Sequence, residues 1–248
     1  MSRQNIYDNP EFYAGYGKIR ANSDSANNRE EKPALFELIG SVAGMDVLDL
    51  GCGYGENCLR FQEMGANRIT GIDISEKMLK IAREQNGGPA ISYLNMAMED
   101  LETLKEQYDV IGSSLAFHYI KDYDDLLKKA AGRLKDGGLL VFSQEHPLTT
   151  APLDGPQWIE KEEGTDHYRL TDYGRPGIRQ VDWIVKGVVK YHRTFSQIVN
   201  GLARNGFWIQ EMREPVPEEE NFKAMPRLRR EIHKPNFLII KAVKAMRQ

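Results

Sequence analysis

The chain has 248 residues, enough for one α/β domain with an insertion, and its formal net charge is −3. This weak negative charge excludes a general electrostatic attraction to nucleic acid. Two cysteines are too few for a disulfide framework or a thiolate metal site, and no segment approaches the roughly 20 apolar residues of a membrane span. The composition predicts a reduced, cytoplasmic protein that binds no metal.

The most informative stretch is residues 47–55, Val-Leu-Asp-Leu-Gly-Cys-Gly-Tyr-Gly. It predicts a buried strand, a tight turn at Gly51 and Gly53, and a helix whose N-terminus points at a ligand. A dinucleotide fingerprint needs a third glycine five positions after the first, where this chain has Glu56. Together with Asp49, Glu56 disfavours a diphosphate and favours a ligand that carries positive charge.

This stretch resembles motif I of the class I S-adenosylmethionine-dependent methyltransferases. The resemblance implies that S-adenosylmethionine is the cofactor. It also implies that Asp49, Gly51, Cys52 and Gly53 form part of the cofactor site.

The next predicted strand, residues 68–72, leads into Asp73, Ile74 and Ser75. Asp73 resembles the acidic residue of the family that accepts hydrogen bonds from both ribose hydroxyls, and Ile74 follows it in the site. Ser75 is a predicted helix cap, which places Met78 one turn into the helix and against the adenine. Alternatively, Asp73 is only a helix-capping residue.

The third predicted strand covers residues 91–96. Many members of the family have an Asp after this strand, where this chain has Ala97. Adenine recognition is then expected to involve Met98 and Glu99. Alternatively, Glu99 and Asp100 merely begin a short helix at its favourable end.

The fourth predicted strand ends in Ser113 and Ser114, and the segment Leu115-Ala116-Phe117-His118-Tyr119 follows. Ligands of open α/β sheets lie outside the carboxyl ends of the strands, so Ser114 is expected at the cofactor and Phe117 at the acceptor. The Asn/Asp-Pro-Pro-Tyr motif of amide and base-amine methyltransferases is absent, which argues against those acceptors.

His118 has two interpretations. An imidazole titrates near neutrality and can take a proton from a hydroxyl or ammonium acceptor. Alternatively, His118 is a structural residue that hydrogen-bonds the cofactor or a neighbouring loop, because methyl transfer depends mainly on alignment.

Further elements complete the predicted sheet. They are a helix over 123–134, a turn at 134–138, and a strand over 139–143, followed by a helix over 196–205 and strands over 207–213 and 237–243. The alternation predicts an α/β fold, a Rossmann-like, seven-stranded, mostly parallel sheet with helices on both faces. The resemblance implies that the last strand is antiparallel. This domain is predicted to comprise residues 33–146 and 194–248.

Residues 147–193 interrupt this pattern with a segment rich in Pro, Gly, aromatic and charged residues. Because long excursions in compact domains are usually functional, it is predicted to be an inserted cap over the acceptor site, or alternatively a dimerisation or packing element. Just before it, His146 is a secondary candidate for the acceptor pocket with Glu145 as its partner, or a turn residue.

Residues 1–32 are predicted to form an N-terminal lid segment. Tyr13 and Tyr16 are its candidates for the acceptor site, because a cation near their rings gains roughly 0.5–2 kcal/mol. Alternatively, these aromatic residues pack as a hydrophobic staple for the first helix.

The predicted function is S-adenosylmethionine-dependent transfer of a methyl group to an oxygen or nitrogen atom of a small-molecule acceptor. No nucleic acid or membrane partner is expected, and a homodimer is compatible with the sequence. Two alternatives stay open: a non-catalytic S-adenosylmethionine-binding regulatory protein, and an NAD-dependent oxidoreductase, which Glu56 disfavours.

Overall fold

A computed structural model describes residues 5, 8–9, 15, 25–155, 157–160, 166–224 and 226–246. Its main sheet has seven strands, which are β1 (Asp46–Leu50), β2 (Arg68–Asp73), β3 (Ile91–Asn95), β4 (Tyr108–Ser113), β5 (Leu134–Glu145), β10 (Phe207–Arg213) and β11 (Phe237–Lys244). From residue 25 onward, the α-helices in the described part of the chain are α1 (Lys32–Ile39), α2 (Glu56–Glu63), α3 (Glu76–Gln85), α4 (Tyr123–Arg133), α5 (Pro147–Thr150), α6 (Phe195–Arg204) and α7 (Glu219–Ala224).

The strand order is β10-β11-β5-β4-β1-β2-β3. Strands β1 to β5 pair in parallel, and β11 lies antiparallel between β5 and β10. The predicted Rossmann-like sheet with its antiparallel last strand is therefore confirmed. The carboxyl ends of β1, β2, β4 and β5 meet at one edge, where open α/β sheets bind their ligands.

Helices cover both faces of the sheet, as the apolar runs of its strands require. Leu48 and Leu50 of β1 face the layer that contains α4 and α6, whereas Val47 faces the layer of α1, α2 and α3. The alternation follows from the two-residue period of a strand. Each of the two cores is contiguous, so β1 is held from both sides and the loop that follows it has a rigid base.

The start of β5 corrects the predicted turn at residues 134–138. The strand already pairs with β4 at Leu134, opposite Tyr108, and the next pair is Val110 with Leu139. The residues between them form an irregularity in which Gly137 has a φ of +74°. Gly137, which predicted a turn, thus lies in a bulge within a continuous strand.

Residues 147–193 add α5 and two small hairpins to the carboxyl end of β5. The hairpins are β6 (Trp158–Ile159) with β7 (His167–Tyr168), and β8 (Gly177–Val181) with β9 (Val188–His192). The buried guanidinium of Arg179 donates to the carbonyl oxygen of Ala151 at 3.0 and 2.8 Å and to that of Arg175 at 2.8 Å. Arg179 therefore ties β8 to the start of the insertion.

No helix in the described part of the chain is long and apolar enough to cross a membrane.

Candidate functional site

A cavity of about 530 Å³ lies at the carboxyl ends of the parallel strands. Its glycine-loop half is lined by residues that follow β1, β2, β3 and β4, namely Gly51, Gly53, Asp73, Ile74, Met78, Met96, Ala97, Met98, Glu99 and Ser114. Its insertion half is lined by His118, Tyr119, Glu145, Thr149, Gln157, Val181, Asp182, Trp183, Lys190 and Phe237. The two halves form one continuous cavity.

The turn after β1 allows a ligand to come close to the backbone. Gly51 and Gly53 have φ values of +68° and +53°, a region that favours glycine. A Cβ atom on Gly51 would lie 2.8 Å from the Cβ atom of Ala116, whereas one on Gly53 would meet no atom within 4 Å. Since Gly53 lines the cavity, its missing side chain leaves backbone open to a ligand.

Asp73 is held rigidly at the end of β2. Its Oδ2 accepts a hydrogen bond from the Gly53 N–H at 2.9 Å, and its Oδ1 accepts one from the Ser75 N–H at 2.8 Å. Burial raises the pKa of Asp73, while these two N–H groups oppose the rise. The carboxylate joins the glycine turn to the start of α3 and also lines the cavity. Asp73 therefore contacts the helix and is at the same time part of the cavity wall.

The predicted cap of α3 is confirmed, because the Ser75 Oγ accepts a hydrogen bond from the Met78 N–H at 3.2 Å. Met78 then lines the cavity, as do Ile74, Met98 and Ser114. Eight of the ten residues predicted at the cofactor thus come together around the glycine-loop half. The two exceptions are Asp49 and Cys52.

Asp49 and Cys52 are buried beside the loop and do not line the cavity. The Cys58 thiol donates to the Asp49 Oδ2 at 3.4 Å. Burial raises the pKa of Asp49 to about 7, with nearby Asp73 and Glu31 adding to the effect. This corrects the contact with a ligand that the sequence predicted for both residues. Asp49 lies on the same side of β1 as Val47, and Cys52, in the turn after the strand, packs in the core that contains Val47 and Cys58.

Glu99 occupies a position that is compatible with both of its interpretations, and its role toward adenine stays a prediction. It lies in the first turn of a short 3₁₀ helix, Met98–Thr103, and it lines the cavity. Its carbonyl oxygen accepts a hydrogen bond from the Lys129 Nζ at 2.5 Å, which connects this helix to α4. Ala97, at the position of the expected Asp, also lines the cavity.

His118 lies buried in the turn after β4 and lines the insertion half of the cavity. Its Nδ1 accepts a hydrogen bond from the Glu145 N–H at 3.3 Å. Burial lowers the pKa of His118 to about 4, so the ring is neutral at physiological pH. A neutral ring that accepts at Nδ1 carries its proton on Nε2. His118 is therefore a hydrogen-bond donor through Nε2 in this arrangement.

Loss of His118 is expected to flatten the pH dependence of stability. The unfolded chain protonates this histidine near its ordinary pKa of 6.5, whereas the folded protein does so only near 4. Between these values the unfolded state binds more protons, so the free energy of unfolding falls as the pH is lowered. Protonation of His118 is expected to lower the free energy of unfolding by about 3 kcal/mol across this window. Denaturant unfolding of wild type and His118→Gln across this window measures the difference.

The exposed His167 provides the control for that experiment. His167→Gln should keep the wild-type pH dependence. Equal pH dependence in wild type and His118→Gln would show that the folded protein does not hold the His118 ring neutral.

Phe117 corrects another prediction. Its ring is buried in the core, stacked on Phe142 at a centroid distance of 4.3 Å, and it does not line the cavity. The 3₁₀ turn Phe117–Tyr119 directs His118 and Tyr119 to the cavity instead. Three residues of such a turn cannot all face one side, and the most apolar of them packs inward.

Glu145 and Lys190 form an ion pair that the sequence analysis did not identify. Glu145 is the last residue of β5, and Lys190 lies in β9, so the pair links the sheet to the insertion. Burial acts to raise the pKa of Glu145, but Lys190 and the other basic groups nearby outweigh it and hold the pKa below its usual range. The cavity therefore contains an ionised carboxylate.

His146 lies away from the cavity, and its ring has a structural role. Its Nδ1 accepts the Leu148 N–H at 3.1 Å, which caps α5, and its Nε2 lies 2.9 Å from the Glu214 Oε1. Glu145 is therefore partnered by Lys190 and not by His146. The signal for Glu145 was its place as the charged last residue of a buried strand at the ligand edge.

The N-terminal residues that the structure describes also reach the site. Ser25, Ala26 and Asn27 line the cavity. The Asp8 Oδ1 accepts the Ser75 hydroxyl proton at 2.6 Å, at the start of α3. Tyr13 and Tyr16, the predicted aromatic candidates, lie outside the described residues.

Glu56, which the sequence analysis used against a diphosphate, forms an ion pair with Lys32. Its charge is therefore partly offset, so Glu56 disfavours a diphosphate less than the sequence indicated. In the described ranges, no group of three or more His, Cys, Asp or Glu residues is arranged to hold a metal ion.

Comparisons with known proteins agree with this arrangement. A family model described as a methyltransferase domain matches residues 47–138. The crystal structure of an S-adenosylmethionine dependent methyltransferase from Mesorhizobium loti is 36% identical, covers 88% of this chain and 98% of that chain, and has a TM-score of 0.80. The chain belongs to the S-adenosylmethionine-dependent methyltransferase family.

Two relatives define how far the likeness extends. An uncharacterized protein of Haemophilus influenzae is 38% identical to this methyltransferase over 96% of each chain. A ubiquinone biosynthesis O-methyltransferase of Bordetella avium is 36% identical over 112 residues, which are 44% of this chain and 46% of that protein. The methyltransferase thus matches less than half of the O-methyltransferase.

Proposed function

We propose that this methyltransferase transfers a methyl group from S-adenosylmethionine to an oxygen or nitrogen atom of a small-molecule acceptor. The observation that carries the proposal is the single cavity in which the glycine loop meets polar and aromatic residues of the insertion. A donor in one half and an acceptor in the other would share one space, and such alignment supplies about 7–11 kcal/mol of a barrier.

The glycine-loop half suits the cofactor in three respects. The Gly53 backbone is open, because a Cβ atom there would meet nothing within 4 Å. The Asp73 carboxylate is fixed by two backbone N–H groups and suits the paired hydroxyls of a ribose. Met78 and Met98 supply polarisable walls for the adenine. When bound, S-adenosylmethionine supplies an electrophilic methyl group on a sulfonium.

Residues 147–193 are proposed to act as the cap of the acceptor site. Thr149, Gln157, Trp183 and Lys190 of this segment line the insertion half, and Arg179 holds its hairpin in place. Residues 1–32 are proposed as a second lid, because Ser25 to Asn27 line the cavity from that side. Walls contributed by three segments favour a small acceptor over a macromolecule.

The ionised Glu145 and the Nε2–H group of His118 argue against a purely regulatory role. A module that only binds the cofactor does not need a half-buried carboxylate and a buried imidazole elsewhere in the cavity, and removing such groups from water is costly. The likeness to an O-methyltransferase supports an oxygen acceptor. It covers 112 residues, which are 46% of that protein.

The proposal is tested with S-adenosylmethionine labelled with tritium in its methyl group. The protein is incubated with this donor and a bacterial cell extract, and the extract is then divided by ultrafiltration into small molecules and macromolecules. Label is expected in the small-molecule fraction. Label confined to protein or nucleic acid, or no transfer at saturating donor, would contradict a small-molecule methyltransferase.

A further inference from the structure

Three side chains of the insertion half form a compact group, which we call the acceptor triad: His118, Glu145 and Lys190. All three line the cavity. The Glu145 N–H donates to the His118 Nδ1 at 3.3 Å, and the Glu145 carboxylate is paired with the Lys190 ammonium. The triad therefore joins the turn after β4, the end of β5 and the insertion through direct contacts.

The triad combines two hydrogen-bond donors with one hydrogen-bond acceptor. His118 offers its Nε2–H group, because Nδ1 is already used, and Lys190 offers ammonium protons. Glu145 is ionised and accepts from Lys190 through Oε1; among the described residues its Oε2 has no hydrogen-bond partner. This arrangement suits a substrate whose oxygen atom gives up a proton. The carboxylate would take the proton, and the two donors would stabilise the negative charge that develops on the oxygen.

Aromatic rings lie close to the Lys190 ammonium group. The Lys190 Nζ lies 5.4 Å from the ring centroid of Trp183 and 6.0 Å from that of Tyr119. The rings of Tyr119 and His118 are 4.3 Å apart. Flat apolar walls next to paired donors suit a planar group that carries its hydroxyl at the edge.

Resting on the proposed function, we infer that the acceptor is a phenol, with Glu145 as the group that takes its hydroxyl proton and Lys190 and His118 as the donors that hold the phenolic oxygen. The charged groups that face Glu145 are Lys190 from β9 and Lys234 from the segment before β11, with neutral His118 from the turn after β4. Lys234 donates to the Thr149 Oγ1 at 2.8 Å and therefore lies behind the cavity wall.

The step balances without a further reactant. The phenolic O–H bond breaks and its proton goes to the Glu145 carboxylate. An oxygen lone pair forms the bond to the methyl carbon, and the carbon–sulfur bond breaks with its electron pair returning to sulfur. The products are the aryl methyl ether, S-adenosylhomocysteine and a proton, which Glu145 then releases to solvent.

The test uses three ring compounds of similar size with tritiated S-adenosylmethionine: catechol, benzoate and benzylamine. Calorimetric binding of S-adenosylhomocysteine is measured in parallel. Methyl transfer is expected to catechol, at least 10-fold faster than to benzoate or benzylamine. Preference for benzylamine or benzoate, or no transfer to any of the three by a protein that binds S-adenosylhomocysteine, would overturn the inference. Failure to bind S-adenosylhomocysteine would instead overturn the proposed function.

Variants then test the role of Glu145 in the triad. With catechol, Glu145→Gln should lower kcat roughly 100-fold or more, because general base catalysis typically contributes that much. Its remaining rate should rise with pH in proportion to the ionised fraction of catechol, since only the phenolate reacts without a base. Affinity for S-adenosylhomocysteine should change less than twofold.

Glu145→Gln leaves Lys190 without its counter-ion, so the double variant with Lys190→Met guards against loss of folding. It should bind S-adenosylhomocysteine like the wild type and show a kcat at least as low as that of Glu145→Gln, because the Lys190 donor is also lost. Glu102→Gln, which removes an exposed partner of Lys129, is the matched control and should keep full activity. A wild-type pH profile in Glu145→Gln, or an equal loss in Glu102→Gln, would overturn the role of Glu145.

Discussion

Replacement of Asp73 by Ala is expected to weaken binding of S-adenosylhomocysteine roughly 10- to 150-fold, because a hydrogen bond to a charged group contributes about 1.5–3 kcal/mol. The carboxylate lines the cavity and is held by the Gly53 and Ser75 N–H groups, so its position does not depend on the ligand. Such preorganisation concentrates the binding energy in one residue. Calorimetric titration of S-adenosylhomocysteine into the variant measures the loss.

A surface aspartate provides the control for this variant. Asp124 lies on α4, where it forms an exposed ion pair with Arg204 outside the cavity. Asp124→Ala should bind S-adenosylhomocysteine like the wild type. Circular dichroism checks that Asp73→Ala remains folded. If the folded Asp73→Ala protein bound with unchanged affinity, the ribose assignment of Asp73 would be refuted.

Replacement of Gly53 by Leu should weaken S-adenosylhomocysteine binding at least as strongly. Gly53 has a φ of +53°, and its absent side chain leaves open space at the cavity. A leucine there is expected to cost about 1–2 kcal/mol of stability, because non-glycine residues are strained in this region. Its side chain would also occupy space that the ligand needs, and no binding should be detectable by calorimetry.

Gly44→Leu separates strain from obstruction. Gly44 has a φ of +72°, and a Cβ atom there would also meet nothing within 4 Å, but it lies before β1 and does not line the cavity. Both variants should show a similar fall in the free energy of unfolding. Only Gly53→Leu should lose the ligand. Equal loss of binding in both would show that strain, and not occupied space, is responsible.

The glycine-loop half was largely predictable from the sequence, because it is local. Gly51 and Gly53 follow a strand whose apolar run is evident, and Asp73 ends the next strand, so strand order alone brings them together. Asp49 shows the limit of this reasoning. Alternation along β1 turns its side chain into the core, where the Cys58 thiol is its hydrogen-bond partner.

The insertion half was less predictable, because its contacts join residues far apart in the chain. Glu145 and Lys190 are separated by most of the insertion, and no periodic pattern indicates their pairing. The turn after β4 illustrates the same difficulty on a smaller scale. Phe117 and His118 are adjacent and equally plausible from sequence, and only packing against Phe142 decides that Phe117 faces the core.

The most direct test of the central claim, that the cavity binds S-adenosylmethionine, is calorimetric titration of the purified protein. S-adenosylmethionine and S-adenosylhomocysteine are titrated separately, with NADH as the control ligand. Micromolar binding of the sulfonium donor and its demethylated product, with no binding of NADH, is the predicted result. Binding of NADH alone would contradict the account and indicate a redox site.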